Sequence, residues 1–341
     1  MNLAIDLMER GLLPDWLVRI GIRHLCRQRL QEEERGSGEA NTAAKMAFVE
    51  ILRKEPVAVH TDTANEQHYE LPAAFFRLCL GPRLKYSCCY WPEGVDTLAA
   101  AEEASLDQVC QRAELADGMK VLELGCGWGS LSLWMAQRYP QSRVLAVSNS
   151  SSQRRFIEAR RDELGLGNLD VLTADARDLR LDRTFDRAVS IEMFEHMRNY
   201  RTLLARIAGW LAPGGKLFVH HFSHRAFAYP YEAEGDGNWM GRHFFTGGLM
   251  PSDDLLLHFQ DDLALEQRWR IDGEHYRRTC AAWLETMDRH RDDIMPVFRK
   301  TYGDEAERWF RRWRVFHMAC GEMFGIGRGR EWGVSHYRFV K

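Results

Sequence analysis

The stretch Val121-Leu122-Glu123-Leu124-Gly125-Cys126-Gly127-Trp128-Gly129 decides the fold of this 341-residue chain. Residues 120–124 have the pattern of a buried parallel strand, because they are apolar except for Lys120 at the start and Glu123. The three glycines then allow a sharp turn and the close approach of a ligand, since none carries a Cβ atom. A helix predicted over 130–138 points its amino terminus at the same place. The stretch therefore predicts a strand, a turn and a helix that together hold a ligand.

Apolar segments alternate with amphipathic segments beyond this turn. This alternation predicts an α/β fold with a mostly parallel, doubly wound sheet, whose crossovers bring ligands to the carboxyl edge of the strands. The final strand is expected to run antiparallel. The predicted strands are 143–148, 169–174, 186–191, 216–222, 263–271 and 334–340. The predicted helices are 152–164, 201–211, 276–302 and 305–324.

The first 97 residues are predicted to form a helical extension that covers the active site of a domain at 98–341. Apolar residues at helical spacing predict two amphipathic helices within 2–34, broken at Pro14, and a third helix over 43–54 after a loop. Such helices pack on the parent domain or on a second subunit, so they favour a homodimer; a membrane-surface role is the less favoured interpretation. The irregular, aromatic stretch 223–262 predicts a lid over the site.

Composition narrows the class of protein. The formal net charge of −3 gives no general electrostatic attraction to nucleic acid. The eight cysteines form no Cys-x-x-Cys pair, which argues against a metal site and against a disulfide scaffold. Charged residues interrupt the amino terminus where a secretory signal needs an apolar run, and no uncharged apolar stretch has the length of a membrane span. We therefore expect a cytoplasmic protein without stable membrane insertion.

The spacing of the glycine turn indicates which ligand it holds. Gly-x-Gly-x-Gly differs from the Gly-x-Gly-x-x-Gly that places a pyrophosphate over a helix. Glu123, two residues before the first glycine, suits a ligand that carries an ammonium group and no phosphate. Asp175, after the third strand, is placed to accept a hydrogen bond from an adenine amino group, although an N-cap role is an alternative. The second strand ends in neutral groups, Ser148 and Asn149, where an acid would normally bind ribose.

Several motifs occur in an order that resembles the cyclopropane fatty acid synthase family of S-adenosylmethionine-dependent methyltransferases. These motifs are the glycine turn, Tyr86-Ser87-Cys88, Met193-Phe194-Glu195-His196, Pro213-Gly214-Gly215-Lys216 and His275-Tyr276-x-x-Thr279. Three further stretches are more similar to the plant coclaurine N-methyltransferase branch of the family. They are residues 64–71, 190–197 and 244–252.

The resemblance implies a class I methyltransferase fold and S-adenosyl-L-methionine as cofactor, with S-adenosyl-L-homocysteine as the product. It also implies which residues contact the cofactor. Together with Glu123, they are Tyr86, Ser87, Gly125, Gly127, Asn149, Gln153, Asp175, Ala176 and Ile191.

The reacting centre is expected just after the fourth strand. If that segment is helical, Glu192, Glu195 and His196 share one face, and neighbouring carboxylates repel unless they have a function there; a solvated charge cluster is the alternative. A free alkylamine has a pKa of about 10 and is therefore mostly protonated near neutrality. It must lose that proton before it accepts a methyl group. We predict that Glu195 and His196 position the amine and act as general base. Glu192, Glu70 and Tyr69 are predicted to complete the catalytic site.

Chemistry on a lipid alkene is the alternative function. The resemblance implies that cyclopropane synthases use bicarbonate as base, held by groups that match Cys88, Glu195, His220 and Tyr276. The lipid enzymes have a small residue in place of Glu192, and a carboxylate beside an acyl chain is costly to bury. The sequence therefore favours N-methylation of a small, aromatic or cyclic, isoquinoline-like amine over cyclopropanation or C-methylation of unsaturated fatty acyl phospholipids. A binding protein without activity is a third interpretation.

Two further groups of residues leave their roles open. His220 and His221 follow each other on a strand, so at most one of them faces the site. Aromatic residues after the fifth strand are either walls of the acceptor site or ordinary core. They are Phe222, Phe227, Tyr229, Trp239, Phe244, Phe245 and Trp332.

Overall fold

The computed structural model describes residues 3–59, 71–232 and 238–341. Its amino-terminal part forms helices α1 (Leu3–Glu9), α2 (Asp15–Glu33) and α3 (Gly38–Lys54). The predicted pair of amphipathic helices separated at Pro14 is confirmed. Helix α3 begins before the predicted residue 43, because the Ser37 hydroxyl accepts a hydrogen bond from the Ala40 N–H at 3.1 Å and caps the helix there. Within the described ranges, no helix combines the length and the apolar character needed to cross a bilayer.

One seven-stranded sheet forms the centre of the molecule. Its strands are β1 (Lys120–Leu124), β2 (Arg143–Ser148), β3 (Leu169–Thr173), β4 (Phe185–Ile191), β5 (Leu211–His224), β8 (Ala264–Asp272) and β9 (Trp332–Val340). The order across the sheet is β3-β2-β1-β4-β5-β9-β8. Strands β1 to β5 pair in parallel, whereas β9 runs antiparallel to both β5 and β8. The predicted mostly parallel sheet with an antiparallel last strand is confirmed.

The other helices of the described residues pack around this sheet. They are α4 (Ala73–Cys79), α5 (Leu98–Arg112), α6 (Ser130–Arg138), α7 (Ser151–Glu163), α8 (Tyr200–Trp210), α9 (Trp239–His243), α10 (Gly273–Arg289), α11 (Arg291–Tyr302) and α12 (Ala306–Gly325). The prediction of a single helix over 276–302 is wrong. The chain breaks at His290, and the new direction of α11 lets Phe298 pack on Phe75 of α4 with ring centroids 5.0 Å apart.

Alternation along the strands explains why helices cover both faces of the sheet. In β1, Val121 packs into the hydrophobic cluster on one face, while Leu122 and Leu124 pack into the cluster on the other. A third cluster joins α4 to α10, α11 and α12. Burial on both faces is what makes the strands almost continuously apolar.

The region 223–262 is irregular, as predicted for a lid. Its described residues contain the short strands β6 (Tyr229–Pro230) and β7 (Leu249–Met250), helix α9 and a 3₁₀ turn at Leu255–His258. Glu9 of α1 ties this lid to α12: its carboxylate accepts hydrogen bonds from Trp239 Nε1 at 2.9 Å and from two guanidinium nitrogens of Arg312 at 3.0 and 2.9 Å. The helical extension, the lid and α12 thus meet above the carboxyl edge of the sheet.

Candidate active site

The glycine turn after β1 adopts a backbone that only glycine accepts easily. Gly125, Gly127 and Gly129 have φ of 76°, 52° and 80°. A Cβ atom at Gly125 would lie 2.9 Å from the Met193 side chain, and one at Gly129 would lie 2.7 Å from Ile157. The turn can therefore sit close to both the segment after β4 and helix α7.

A cavity lies between this turn and the ends of β2, β3 and β4. All the residues predicted to contact the cofactor line it. They are Tyr86, Ser87, Glu123, Gly125, Gly127, Asn149, Gln153, Asp175, Ala176 and Ile191. The residues predicted to contact the cofactor thus lie around one cavity, which we call the cofactor cavity.

Polar atoms on the cofactor cavity fit a polar ligand. Within the described ranges, Trp128 Nε1, Ser130 Oγ and Gln153 Nε2 are buried without a hydrogen-bond partner. Leaving such a group unsatisfied costs about 1–3 kcal/mol, so three around one cavity point to a bound molecule with hydrogen-bonding groups. The sequence analysis missed Trp128 and Ser130, although both stand in or next to the glycine turn.

The two acids predicted at this cavity have different surroundings. Glu123 is buried and hydrogen-bonded to the Ser132 hydroxyl, and burial raises its pKa to about 8. A cationic ligand beside it would favour its ionised form. Asp175 accepts from the backbone N–H of Arg177 at 2.7 Å and pairs with the Arg177 guanidinium at 2.8 Å. Asp175 therefore lines the cavity and also shapes the turn after β3.

Glu192 follows β4 directly and presents its carboxylate to three hydrogen-bond donors. The Cys88 N–H lies 2.9 Å from Oε1, the Tyr276 hydroxyl 2.8 Å from Oε2, and His220 Nε2 3.2 Å from Oε1. The backbone of Glu192 has φ of 48°, and its N–H donates to His220 O at 2.8 Å. Cys88 contributes its backbone here, because burial raises the pKa of its thiol and keeps it neutral.

Glu195 does not share this position. It lies in a 3₁₀ turn, Phe194–His196, and its Oε1 accepts from the Phe222 N–H of β5 at 2.7 Å. The side chain is fully buried and lines neither of the two cavities that the described residues form at this site. The predicted common face of Glu192, Glu195 and His196 is therefore wrong, because the turn has only three residues, begins at Phe194, and is preceded by Glu192 with a left-handed backbone.

The two carboxyl groups also differ in charge. Burial and the neighbouring Glu192 raise the pKa of Glu195 well above its usual range. Burial raises the pKa of Glu192 too, but Lys85, the Cys88 N–H and the Tyr276 hydroxyl oppose that rise. The surroundings of Glu192 therefore favour the carboxylate form more strongly than those of Glu195, which favour a neutral acid.

Lys85 is a buried cation that the sequence analysis overlooked. Its ammonium donates to Ser87 Oγ at 2.7 Å and to the Cys88 carbonyl, and thereby braces the loop that carries the Cys88 N–H. A lysine inside the aromatic stretch 84–92 is the signal that could have revealed it.

The histidines occupy the two faces that strand alternation predicts. His220 faces Glu192, whereas His221 stacks on Tyr337 with ring centroids 5.2 Å apart. His196 lies at the cavity surface, and burial lowers its pKa to about 4, so the imidazole is neutral. Tyr69 and Glu70 fall outside the described residues.

A second cavity of about 1150 Å³ opens on the other side of Glu192 and lies beneath α2, the lid and α12. Of the aromatic residues predicted as walls, several line it; these are Phe222, Tyr229, Trp239, Phe245 and Trp332. Phe244 instead packs in the core against Trp313. Tyr86, Glu192 and His196 line both cavities, so they stand at the junction between them. We call the second cavity the acceptor cavity.

The sheet order, the glycine turn and the cofactor cavity define a class I methyltransferase. A family model described as mycolic acid cyclopropane synthetase matches residues 58–330. The chain belongs to this family of S-adenosylmethionine-dependent methyltransferases, as the resemblance in the sequence implies.

Three known proteins illustrate the similarity. (S)-Coclaurine N-methyltransferase of Thalictrum flavum subsp. glaucum is 40% identical over 339 residues, which cover 98% of this chain and 94% of that protein. The cyclopropane-fatty-acyl-phospholipid synthase of Escherichia coli (strain K12) is 30% identical over 278 residues, or 81% of this chain and 68% of that protein. A crystal structure of coclaurine N-methyltransferase bound to N-methylheliamine and SAH superposes with a TM-score of 0.96, 38% identity and 99% coverage of both chains.

Proposed function

We propose that this enzyme methylates the nitrogen of a small cyclic, isoquinoline-like amine. The observation that carries the proposal is the junction at Tyr86, Glu192 and His196, where a carboxylate and a neutral imidazole stand between the cofactor cavity and an aromatic-lined cavity. The similarity to (S)-coclaurine N-methyltransferase over nearly the whole chain supports an amine acceptor.

The cofactor cavity suits S-adenosyl-L-methionine. When bound, this cofactor supplies a methyl group on a positively charged sulfur. Gly125 and Gly127 leave room for its approach, Asp175 and Gln153 offer hydrogen bonds, and Glu123 offers a carboxyl group to its ammonium.

The residues at the junction prepare the acceptor nitrogen. A free alkylamine is mostly protonated near neutrality, and the protonated form has no lone pair to attack with. The Glu192 carboxylate attracts the ammonium form, and Glu192 or His196 accepts its proton. Once any proton on Glu192 has passed to His196 or to water on the cavity side, its carboxylate balances the positive charge on the product nitrogen. Such general-base assistance contributes about 10²- to 10⁴-fold to a rate, and holding the amine in line contributes more.

The surroundings of Glu192 also weigh against bicarbonate chemistry on lipids. Cys88, His220 and Tyr276 are three of the groups that the resemblance assigns to bicarbonate, and here all three donate to Glu192. The Glu192 carboxylate therefore accepts the hydrogen bonds that a bicarbonate would otherwise accept. The fourth group, Glu195, is turned towards β5. We therefore propose that Glu192 takes the part of the external base, and that lipid alkenes are not the acceptors.

Two further predictions belong to this proposal. The first is that the enzyme is cytoplasmic. The second is that it forms a homodimer, because α2 leaves Trp16, Leu17 and Ile20 exposed beside the mouth of the acceptor cavity. Sedimentation of the full chain with and without Trp16→Glu measures the dimer. A monomer at micromolar concentration of the unaltered chain contradicts it.

A direct assay distinguishes the candidate acceptors. The purified enzyme is incubated with methyl-labelled S-adenosyl-L-methionine and, in parallel, with a panel of cyclic and acyclic amines and with a phospholipid extract. We expect label in cyclic secondary amines and none in lipid. Label that appears only in the lipid fraction contradicts the proposal, and label in neither fraction returns the inactive binding protein as the explanation.

A further inference from the structure

A chain of hydrogen-bonded side chains leads from Glu192 towards the surface of the protein. His220 Nε2 lies 3.2 Å from Glu192 Oε1, and His220 Nδ1 lies 2.8 Å from His336 Nε2. His336 Nδ1 lies 2.8 Å from Nη1 of Arg112, the last residue of α5. The two histidines are buried and stand opposite each other on β5 and β9, while Arg112 is half-buried.

Arg112 determines the donor and the acceptor in each of these three side-chain hydrogen bonds. A guanidinium only donates, so His336 Nδ1 must accept. Burial lowers the pKa of both His336 and His220 well below the usual value, and a neutral imidazole has one donor and one acceptor nitrogen. His336 Nε2–H therefore donates to His220 Nδ1, and His220 Nε2–H donates to Glu192.

We propose that Arg112 and His336 are positioning residues for methyl transfer: they hold His220 in the Nε2–H tautomer, which donates to the Glu192 carboxylate. This inference rests on the proposed function for the identity of the reaction, whereas the tautomers themselves are a property of the protein without ligands. The wrong tautomer would aim an imidazole lone pair at Glu192 and repel its charge.

Among the residues that the structure describes, aromatic rings pack against His336 and Arg112. The Phe218 ring meets His336 edge-on with centroids 5.0 Å apart, and the Arg112 guanidinium lies 5.0 Å from the Trp269 ring centroid. The charged and titratable groups that act on the two histidines, apart from each other and Glu192, are Lys85, His221 and Arg112. His221 is itself neutral, because burial lowers its pKa to about 4.

The same direction determines where the amine's proton can leave. A proton that Glu192 accepts cannot pass to His220, because the facing nitrogen already carries a hydrogen. At the far end, Arg112 has no lone pair to receive one. The proton therefore leaves on the cavity side, where His196 lines both cavities. His220 orients Glu192 and does not conduct its proton.

Two substitutions at His336 distinguish the effect of hydrogen-bond direction from the effect of side-chain packing. In His336→Gln, the amide oxygen can accept from Arg112 while the amide nitrogen donates to His220, so the direction survives. In His336→Phe, both hydrogen bonds are lost at similar volume. We expect kcat to fall about 10- to 100-fold in the Phe variant, the size seen when groups that orient a ligand are removed. We expect the Gln variant to recover most of that loss, with the cofactor Kd unchanged in both.

Nitrogen-15 NMR of histidine-labelled, ligand-free enzyme reads the tautomers directly. We expect protonated Nε2 and unprotonated Nδ1 for both His220 and His336. Arg112→Met should give His336 a mixture of tautomers, whereas Arg112→Lys should preserve the single form. The matched control is His317→Phe, because His317 is buried away from both cavities with its Nε2 3.5 Å from Cys79 Sγ. This variant should leave kcat and the tautomers of His220 and His336 unchanged.

Two results would overturn the inference. One is an Nδ1–H tautomer of His220 in the unaltered protein. The other is an equal loss of kcat in His336→Phe and His336→Gln when both variants unfold at the same temperature as the parent. If no amine is methylated at all, the proposed function fails, but the NMR result still decides the tautomer assignment.

Discussion

Glu192 and Glu195 stand three positions apart, yet their carboxyl groups have different tasks. Glu192 receives three donors and lies beside Lys85, whereas Glu195 receives one backbone N–H, and its Oε2 has no partner within the described ranges. The surroundings of Glu192 favour the ionised carboxylate, and those of Glu195 favour the protonated acid. This pair resembles other enzyme sites in which the environment separates the pKa values of two neighbouring acids.

Replacing each acid by its amide tests this division. Glu192→Gln removes the charge that faces the amine, and we expect kcat to fall about 10²- to 10⁴-fold with the cofactor Kd changed less than about 3-fold. Glu195→Gln is close in shape and charge to a neutral acid, so we expect a loss below about 10-fold. Steady-state kinetics and calorimetric titration with the cofactor provide the two measurements.

The exposed Glu285, which pairs with Arg289 on the surface of α10, offers a control for these amides. Glu285→Gln should change neither quantity. A larger loss in Glu195→Gln than in Glu192→Gln would contradict the assignment of charge and would return Glu195 to the role predicted from the sequence.

Individual residues were predictable where a local motif fixes them. The cofactor residues belong to strand ends and to a glycine turn, whose geometry is set by neighbours in sequence. Glu195 was misplaced because Glu192 has a left-handed backbone before a 3₁₀ turn of three residues, so no continuous helix brings the two carboxyl groups to one face. Arg112 and His336 escaped notice because they lie 224 residues apart and meet only when β9 inserts beside β5. No local pattern encodes such a meeting.

Among the secondary-structure elements, α1 connects the lid to α12 through the side chain of Glu9. The Glu9 carboxylate is almost fully buried and satisfies both Arg312 of α12 and Trp239 of α9. Removing one partner of a buried pair leaves the other charge without compensation. The short helix α1 therefore stabilises two elements that are remote from it in sequence.

We expect Glu9→Gln to destabilise the protein by about 2–3 kcal/mol and to speed amide hydrogen exchange in α9. Urea unfolding and exchange mass spectrometry measure the two effects. The control is Asp6→Asn, because Asp6 pairs with the exposed Arg10 one turn away and such surface pairs contribute less than about 1 kcal/mol. Unchanged exchange in α9 would mean that the lid is held without Glu9.

Helix positions were predictable from periodicity, and their ends less so. The break at His290 is a tertiary effect, since the chain turns there to place Phe298 against α4. Periodicity continues across the break, so the sequence alone gives one long helix. The capping of α3 by Ser37 is by contrast a local signal that the sequence analysis could have used.

At the scale of the whole molecule, Glu123 and His317 are a buried acid and a buried base whose contributions to stability depend on pH with opposite signs. Burial raises the pKa of Glu123 to about 8 and lowers that of His317 to about 3. The stability that Glu123 contributes is present below about pH 4.5 and is lost as pH rises through about 8. That of His317 is present above about pH 6.5 and is lost as pH falls towards about 3.

Two single variants should therefore shift the pH dependence of unfolding in opposite directions. Relative to the parent, Glu123→Gln should gain stability as pH rises from about 4.5 to 8, and His317→Phe should gain it as pH falls from about 6.5. Each slope should approach 1.4 kcal/mol per pH unit within its window. Urea unfolding of the cofactor-free enzyme between pH 5 and 8 gives both slopes. Parallel curves for parent and variants would show that these groups are charged in the folded state.

The left-handed backbone of Glu192 has a consequence for how such enzymes diverge. A φ of 48° costs a residue with a side chain about 1 kcal/mol and costs glycine nothing. Glycine here would relax the backbone, and the loss of the carboxylate would release the donors on Cys88, His220 and Tyr276 for an external anion. In evolutionary terms, a single substitution at position 192 could replace the protein's own carboxylate with an external anion as the base. The enzyme could then act on acceptors other than amines without a change in the sheet.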